Sequence, residues 1–296
     1  MIRLFLIPLT LFSIVLVTLS MLMGRLLPRG AEIAYVSNPG ENPAIFRADI
    51  GRNLHINITG QDSAAYAPAW SPDGEWIVFY SDRDGTRDLY KMDVLGNQIE
   101  RLTDNGAKND TPVWSPDGTQ IAFHADHARD YNIYILDIAT GQIRALLPDH
   151  NFWDAAPSWS PDGTRIAFAS TREFENVNVY VVDVDGNNLR RLTDNPAEDY
   201  APEWSPDGSQ IAFASRDVRT GRLTVHVMNA DGSDIRNLAG GRMFDQTPSW
   251  SPDGRHIIFA SFNQSDFDLF IMNQDGSDVR ALTDNPVDDW SPVWRP

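Results

Sequence analysis

Two segments gather the side chains best suited to metal chemistry. "ADHARDY" supplies Asp126, His127 and Asp130, and "PDHNFWDAAP" supplies Asp149, His150 and Asp154. Two imidazoles and a carboxylate form a ligand set for zinc or a similar ion, which would serve a metal-dependent hydrolase or lyase. The spacing of His127, His150 and Asp154 matches no established metal motif, and solvated loop residues are the bland alternative.

A second set recurs along the chain. Three residues before the Pro of a repeated Pro-x-Trp tag stand Ala65, Asn109, Asp154, Asp199, Asp245 and Asp289, with Asp110 one position further on in its copy. Carboxylates around a low-dielectric channel mouth focus a negative potential and receive a cation, such as a partner's Lys or Arg, an amino terminus or a metal. The local alternative is that each Asp caps its own loop by accepting from backbone N–H groups. Arg83, Arg172 and Arg216 sit in neighbouring loops and can pair with the acids or meet a partner. Motifs of self-contained catalysis are missing from the sequence: no Gly-x-Ser-x-Gly elbow, no phosphate-cradling glycine loop and no His-Glu-x-x-His.

The tag itself reveals the scaffold. Its tryptophans, Trp70, Trp114, Trp159, Trp204, Trp250 and Trp294, are separated by 44, 45, 45, 46 and 44 residues. A fixed period in this range signals a solenoid or propeller. The first five copies continue as Ser-Pro-Asp-Gly, a tight turn in which Pro presets φ and Asp-Gly tolerates positive φ. In the unit that starts at Pro157, "RIAFAS" alternates large and small residues at strand period. "VNVYVVDV" is β-branched and aromatic, Asp185-Gly186 makes a hairpin turn, and "NLRRLT" is a charged edge strand. With the short Pro-x-Trp strand in front, each unit is a four-stranded meander, here lettered A to D from the inside outward.

Strand B recurs at 32–37, 75–81, 120–125, 165–170, 210–215 and 256–261. The first unit lacks a strand A, and Pro292–Trp294 at the C-terminus is a spare one. These counts predict an all-β, six-bladed β-propeller closed by the C-terminal strand, which completes the first blade and removes the open edges of a linear array. In such a meander the D-to-A crossings and the B-to-C loops share one end of the ring. The Ser-Pro-Asp-Gly and C-to-D turns share the other. The irregular loops of the crossing end are the expected place for binding.

"LTDNPAEDYAPEWSPDGSQIAFAS" and its sister copies resemble the TolB-type, WD-like β-propeller repeat over about residues 31–296. The resemblance implies a propeller of the bacterial envelope that receives partner segments at the channel mouth. TolB itself carries an α/β domain before its propeller. Here strand B of the first blade starts at about Glu32, so no such domain is expected.

Leu4–Met23 is an uncharged run long enough to cross a bilayer. Residues 1–29 are read as a signal anchor or a signal peptide and residues 30–296 as the propeller. The run exceeds the usual signal-peptide core and lacks an Ala-x-Ala site, which favours the uncleaved anchor. Either reading sends the propeller out of the cytoplasm. The net charge is −17, and the first 30 residues carry three Arg and no acid, so the propeller is more acidic still. That argues against nucleic acid and suits a protein or peptide partner with a basic segment. The sequence has no Cys, which excludes disulfides and a lipid-modified cysteine. Together these observations predict a non-catalytic propeller without cofactor. It captures a partner at a mouth formed by Asp110, Asp154, Asp199, Asp245, Asp289, Arg83, Arg172 and Arg216. The membrane is touched only through residues 4–23.

Overall fold

Each repeat is organised by its Ser-Pro-Asp-Gly turn. In the fourth blade Ser160 Oγ donates to Asp162 Oδ1 at 2.6 Å and accepts from Arg165 N–H at 2.9 Å. Thr164 N–H donates to the same Asp162 oxygen at 3.0 Å, and Gly163 takes a φ of +71°. The serine–aspartate contact recurs at Ser71, Ser115, Ser205 and Ser251. Side chains thus replace backbone partners that the four-residue reversal between Ser160 and Arg165 leaves unmet.

The computed structural model describes residues 31–127, 130–147, 152–172, 176–238, 243–263 and 265–296, with their side chains except those of His127, Asp130 and Met243. The apolar run at 4–23 lies outside these residues. Among the described residues no helix is long and apolar enough to cross a membrane. The strands form six four-stranded sheets. The fourth blade shows the pattern: A is Asp154–Trp159, B is Arg165–Ser170, C is Asn178–Asp183 and D is Arg190–Arg191.

The core lies between blades. Phe79, Phe123, Phe168, Phe213 and Phe259 occupy the same strand B position and are fully buried. Phe168, Tyr180 and Trp159 pack with Ile133, Ile135 and Leu146 of the preceding blade. Losing one such phenyl ring costs about 3–5 kcal/mol, so the blades are cemented to each other and not only to themselves.

The ring closes as expected. Asp289–Trp294 pairs with Glu32–Ser37, setting Trp294 opposite Ile33 and Asp289 opposite Ser37. Arg295 N–H donates to Glu32 O at 2.9 Å, and its guanidinium meets the Glu32 carboxylate at 2.6 Å.

Strand A is longer than its Pro-x-Trp tag. The residue before each tag proline takes a left-handed conformation: Ala67, Thr111, Ala156, Ala201, Thr247 and Ser291 have φ between 44° and 51°. A register shift falls there in each A–B pairing. This is a β-bulge at the one place where Pro withholds an N–H, and pairing resumes beyond it. The strand therefore extends upstream and takes in the acids read from the sequence as loop residues.

Candidate binding face at the crossing end

Those acids are buried within the ring. Asp199, Asp245 and Asp289 are fully inaccessible, and Asp154 and Asp110 nearly so. Asp199 Oδ1 accepts from Ser215 Oγ, across its own hairpin, at 2.6 Å. Its other oxygen accepts from Asn195, in the Leu-Thr-Asp-Asn loop of the preceding blade, at 3.1 Å. Asn285 donates to Asp289 at 2.8 Å in the same way. In the third blade the acid is replaced by Asn109, whose amide reaches Asp88, Thr103 and Asn105 of the second. The position is a clasp between neighbouring blades. Burial pushes the Asp199 and Asp289 carboxyls above the usual range, against the pull of their hydroxyl and amide donors. A strand C residue of the sixth blade joins the clasp: Asp268 accepts from Thr283 Oγ1 at 3.2 Å and is also raised by burial.

The three predicted arginines divide. Arg172 pairs with Asp154 at 2.6 Å, bonds Ser170 Oγ at 3.1 Å and lies 5.3 Å over the Phe168 and Tyr180 rings. Arg83 repeats the serine bond to Ser81 and the ring contacts with Phe79 and Tyr90, but Ala65 stands where Asp154 would be. Arg216 is half exposed and pairs with Glu198 at 2.7 Å. Asp110 is held by Arg87 at 3.1 Å and faces His124 Nε2 at 3.6 Å, while Thr111 Oγ1 lies 2.6 Å from His124 Nδ1. Sequence reasoning missed Arg87 and His124, which sit opposite Asp110 only through inter-strand and inter-blade register.

Of the proposed metal ligands His127, His150 and Asp154, only the Asp154 side chain is fully within the described residues. Asp149 and His150 lie outside these residues, as does the side chain of His127. Asp154 is engaged by Ser170 and Arg172. Among the described residues no group of three His, Asp or Glu side chains is arranged to hold an ion.

A different set lies at the crossing end, where Asp104 and Asp194 pair with Arg101 and Arg191 of the outermost strands at 2.8 and 2.7 Å. Two residues before three of the six tag prolines, and thus on the innermost strands, stand the half-buried rings of Tyr66, Tyr200 and Trp290. Tyr66 stacks on Tyr80 at 5.0 Å between centroids, and Tyr200 meets Trp153 edge-on at 6.4 Å. Asp104, Asp194, Asp284 and Asp288 on the crossing connections are exposed. The signal was available in the sequence, in the position beside the acid and in the third residue of Leu-Thr-Asp-Asn. The bulge that turns one position inward and the next toward the mouth was not.

Comparison with known proteins agrees with this architecture. The family model described as TolB beta propeller domain matches residues 14–147 and 111–296. Among curated proteins nothing matches the chain. The solved structure of TolB from Acinetobacter baumannii superposes with a TM-score of 0.81 at 24% identity, covering 94% of this chain and 70% of that one. A chain of a nidogen/laminin complex gives 0.73 at 11% identity, covering 90% and 99%. An oligogalacturonate lyase from Vibrio parahaemolyticus gives 0.57 at 18% identity, covering 85% and 72%.

Proposed function

The chain belongs to the TolB beta propeller domain family, and from that premise we propose that it is a non-catalytic binding propeller whose crossing end captures a protein or peptide partner. The observation that carries this reading is the mouth itself. Half-buried aromatic rings (Tyr66, Tyr200 and Trp290) sit on the innermost strands, with exposed carboxylates on the crossing connections of the same end. Aromatic anchors inside a polar rim are the anatomy of a protein-recognition site. The chain's net charge of −17 favours a partner with a basic segment. In this reading Asp154, Asp199, Asp245 and Asp289 hold the blades that carry the rings, and Asp110, buried against Arg87, does the same in the third blade. Arg216 and the exposed Asp104, Asp194 and Asp284 meet the partner. Arg83 and Arg172 brace the loops behind them. The propeller acts outside the cytoplasm, held at the membrane by residues 4–23. Protein partnership also fits the likeness in fold to a chain of a nidogen/laminin complex.

Paired baits test this. The native chain and a variant with Tyr66, Tyr200 and Trp290 changed to Ala would be compared for capture from envelope extract. A third bait would carry Asp104, Asp194 and Asp284 changed to Asn. A partner lost by the ring variant and weakened about tenfold by the charge variant is the expected result. Equal capture by all three places binding elsewhere and overturns the reading.

A further inference from the structure

At the opposite end of the axis, the six strands A enclose a cavity of about 430 Å³. All six tag tryptophans line it, together with the central residues of the six tags. Those central residues divide the wall. Val293, Ala69 and Val113, on the first three blades, are apolar, whereas Ser158, Glu203 and Ser249, on the last three, are polar. Glu203 is the one ionisable side chain among the described lining residues. Its Oε1 accepts from Trp250 N–H at 2.9 Å and from Ser249 Oγ at 3.1 Å.

Charge decides what such a cavity accepts. The hydroxyl and N–H donors nearest the carboxylate are already directed at it, and Ser158 Oγ accepts from Trp204 N–H at 3.2 Å. An anion would find no cation in the wall. A calcium or magnesium ion needs six or more oxygen ligands, and the lining offers one carboxylate and three serine hydroxyls, of which Ser249 and Ser251 already donate to Glu203 and Asp253. An organic cation needs only one counter-ion, and its alkyl part is sheltered by the apolar half and the indoles, whose π-systems attract cations. We propose that this cavity is a binding site for a primary alkylammonium group, with Glu203 as its counter-ion and the tryptophan ring as its apolar wall. The shared chemistry has two sources, a free amine or the lysine side chain of a partner that docks on the turn end. The site is separate from the crossing end and does not rest on its reading.

Burial pushes the Glu203 carboxyl up to about 7, so the counter-ion itself titrates near neutrality. Other charged groups stand in the adjoining turns and strands. Arg165 and Arg295 lie against the Trp204 and Trp70 rings, and Asp207 and Asp253, in the adjoining turns, are held below the usual carboxylate range by their serine and backbone donors. Affinity for an ammonium ion is therefore expected to rise about tenfold from pH 6 to pH 8 as Glu203 ionises.

The test follows the fluorescence of the channel tryptophans in the full chain, in detergent micelles, during titration with n-butylammonium chloride. Parallel titrations use 1-butanol, calcium chloride and a short acetylated lysine peptide with an amidated end. Saturable binding of butylammonium but not butanol is expected, stronger at pH 8 and weakened at least tenfold in Glu203→Gln. Val113→Phe, which fills the cavity from the opposite wall and leaves Glu203 intact, should abolish it as well. Binding of the lysine peptide too assigns the site to a partner's side chain; binding of the free amine alone assigns it to a small molecule. Absence of a saturable response to butylammonium at pH 8, equal affinity in Glu203→Gln, or saturation by calcium alone would overturn the proposal.

Discussion

The guanidinium of Arg172 meets the carboxylate of Asp154 at 2.6 Å, with 10% and 1% of the two side chains exposed. Two blades earlier Arg83 makes the same serine bond and the same ring contacts with no acid to meet, because Ala65 fills the place of Asp154. The chain thus contains its own control. Arg172→Ala strands a buried carboxylate and should cost about 3–5 kcal/mol. Arg83→Ala removes packing and one hydrogen bond and should cost about 1 kcal/mol. Thermal melts would separate them, the first falling by roughly 6–15 °C and the second by a few degrees. Equal losses would show that the ion pair adds nothing to the shared packing.

Glu203 gives stability a slope near neutral pH. Its folded-state carboxyl is raised by burial from 4.5 to about 7. A group raised on folding favours the native state while protonated, so its contribution is complete below pH 4.5 and is lost as pH climbs through about 7. Glu203→Gln should melt with the native protein at pH 5 and above it at pH 8, by about 1–3 kcal/mol. A variant that melts lower at pH 8 would mean that the ionised form is stabilised by contacts outside this account.

The turn aspartates act in the opposite sense. Hydrogen bonds from the turn serine and backbone hold Asp73, Asp117 and Asp207 below 3.8, and Asp162 at about 2. Groups lowered on folding stabilise the native state above their unfolded value and cease to do so as pH falls through the folded one. Melting temperature should therefore drop between about pH 4 and pH 2. Asp162→Asn should flatten that limb slightly, at a cost of about 1 kcal/mol at pH 7. A limb unchanged in the variant would remove this turn from the cause.

The architecture was legible because a strict 44–46-residue period tolerates few folds, and because the unpaired Pro292–Trp294 had one place to go. The fate of Asp154, Asp199 and Asp289 was not. They read as loop residues because Pro normally ends pairing, and only the left-handed residue before each Pro restores it. A trace of the clasp did exist. Asp154, Asp199, Asp245 and Asp289 each accompany a Ser at the end of strand B, whereas Asn109 accompanies Ala125. Glu203 was visible as the one acid among Ala69, Val113, Ser158, Ser249 and Val293. Its meaning depended on knowing that all six face one cavity.

Glycines in the C-to-D turns serve the neighbouring blade as well as the turn. Gly276 has a φ of +84°, and a Cβ placed on it would lie 2.3 Å from the Leu238 carbonyl oxygen. Gly85, in the B-to-C loop of the second blade, has a φ of +91° with nothing within 4 Å of such a Cβ. Gly85→Ala should cost only the left-handed penalty, about 1–2 kcal/mol. Gly276→Ala must also push neighbouring blades apart and should cost at least twice as much. Urea unfolding of the two variants reads the difference, and matching midpoints would mean that the interface yields freely.

Ring closure makes the last strand matter to every blade. Removing residues 288–296 deletes the innermost strand of the first blade, the Trp294 indole bond to Ser249 O at 3.2 Å and the Arg295–Glu32 pair. It also exposes the Ile33, Ile258 and Ile271 cluster that joins the first and sixth blades. The truncated chain would present two open edges and one uncovered apolar face, a pairing and aggregation hazard as well as a loss of burial. The expected outcome is loss of the cooperative thermal transition, with increased hydrogen exchange in the first and sixth blades at least. Trp294→Ala keeps the backbone pairing and should lower the melting temperature without abolishing the transition, because it removes about 3–5 kcal/mol of packing. A truncated protein that melts like the full chain would show that the ring does not need its seal.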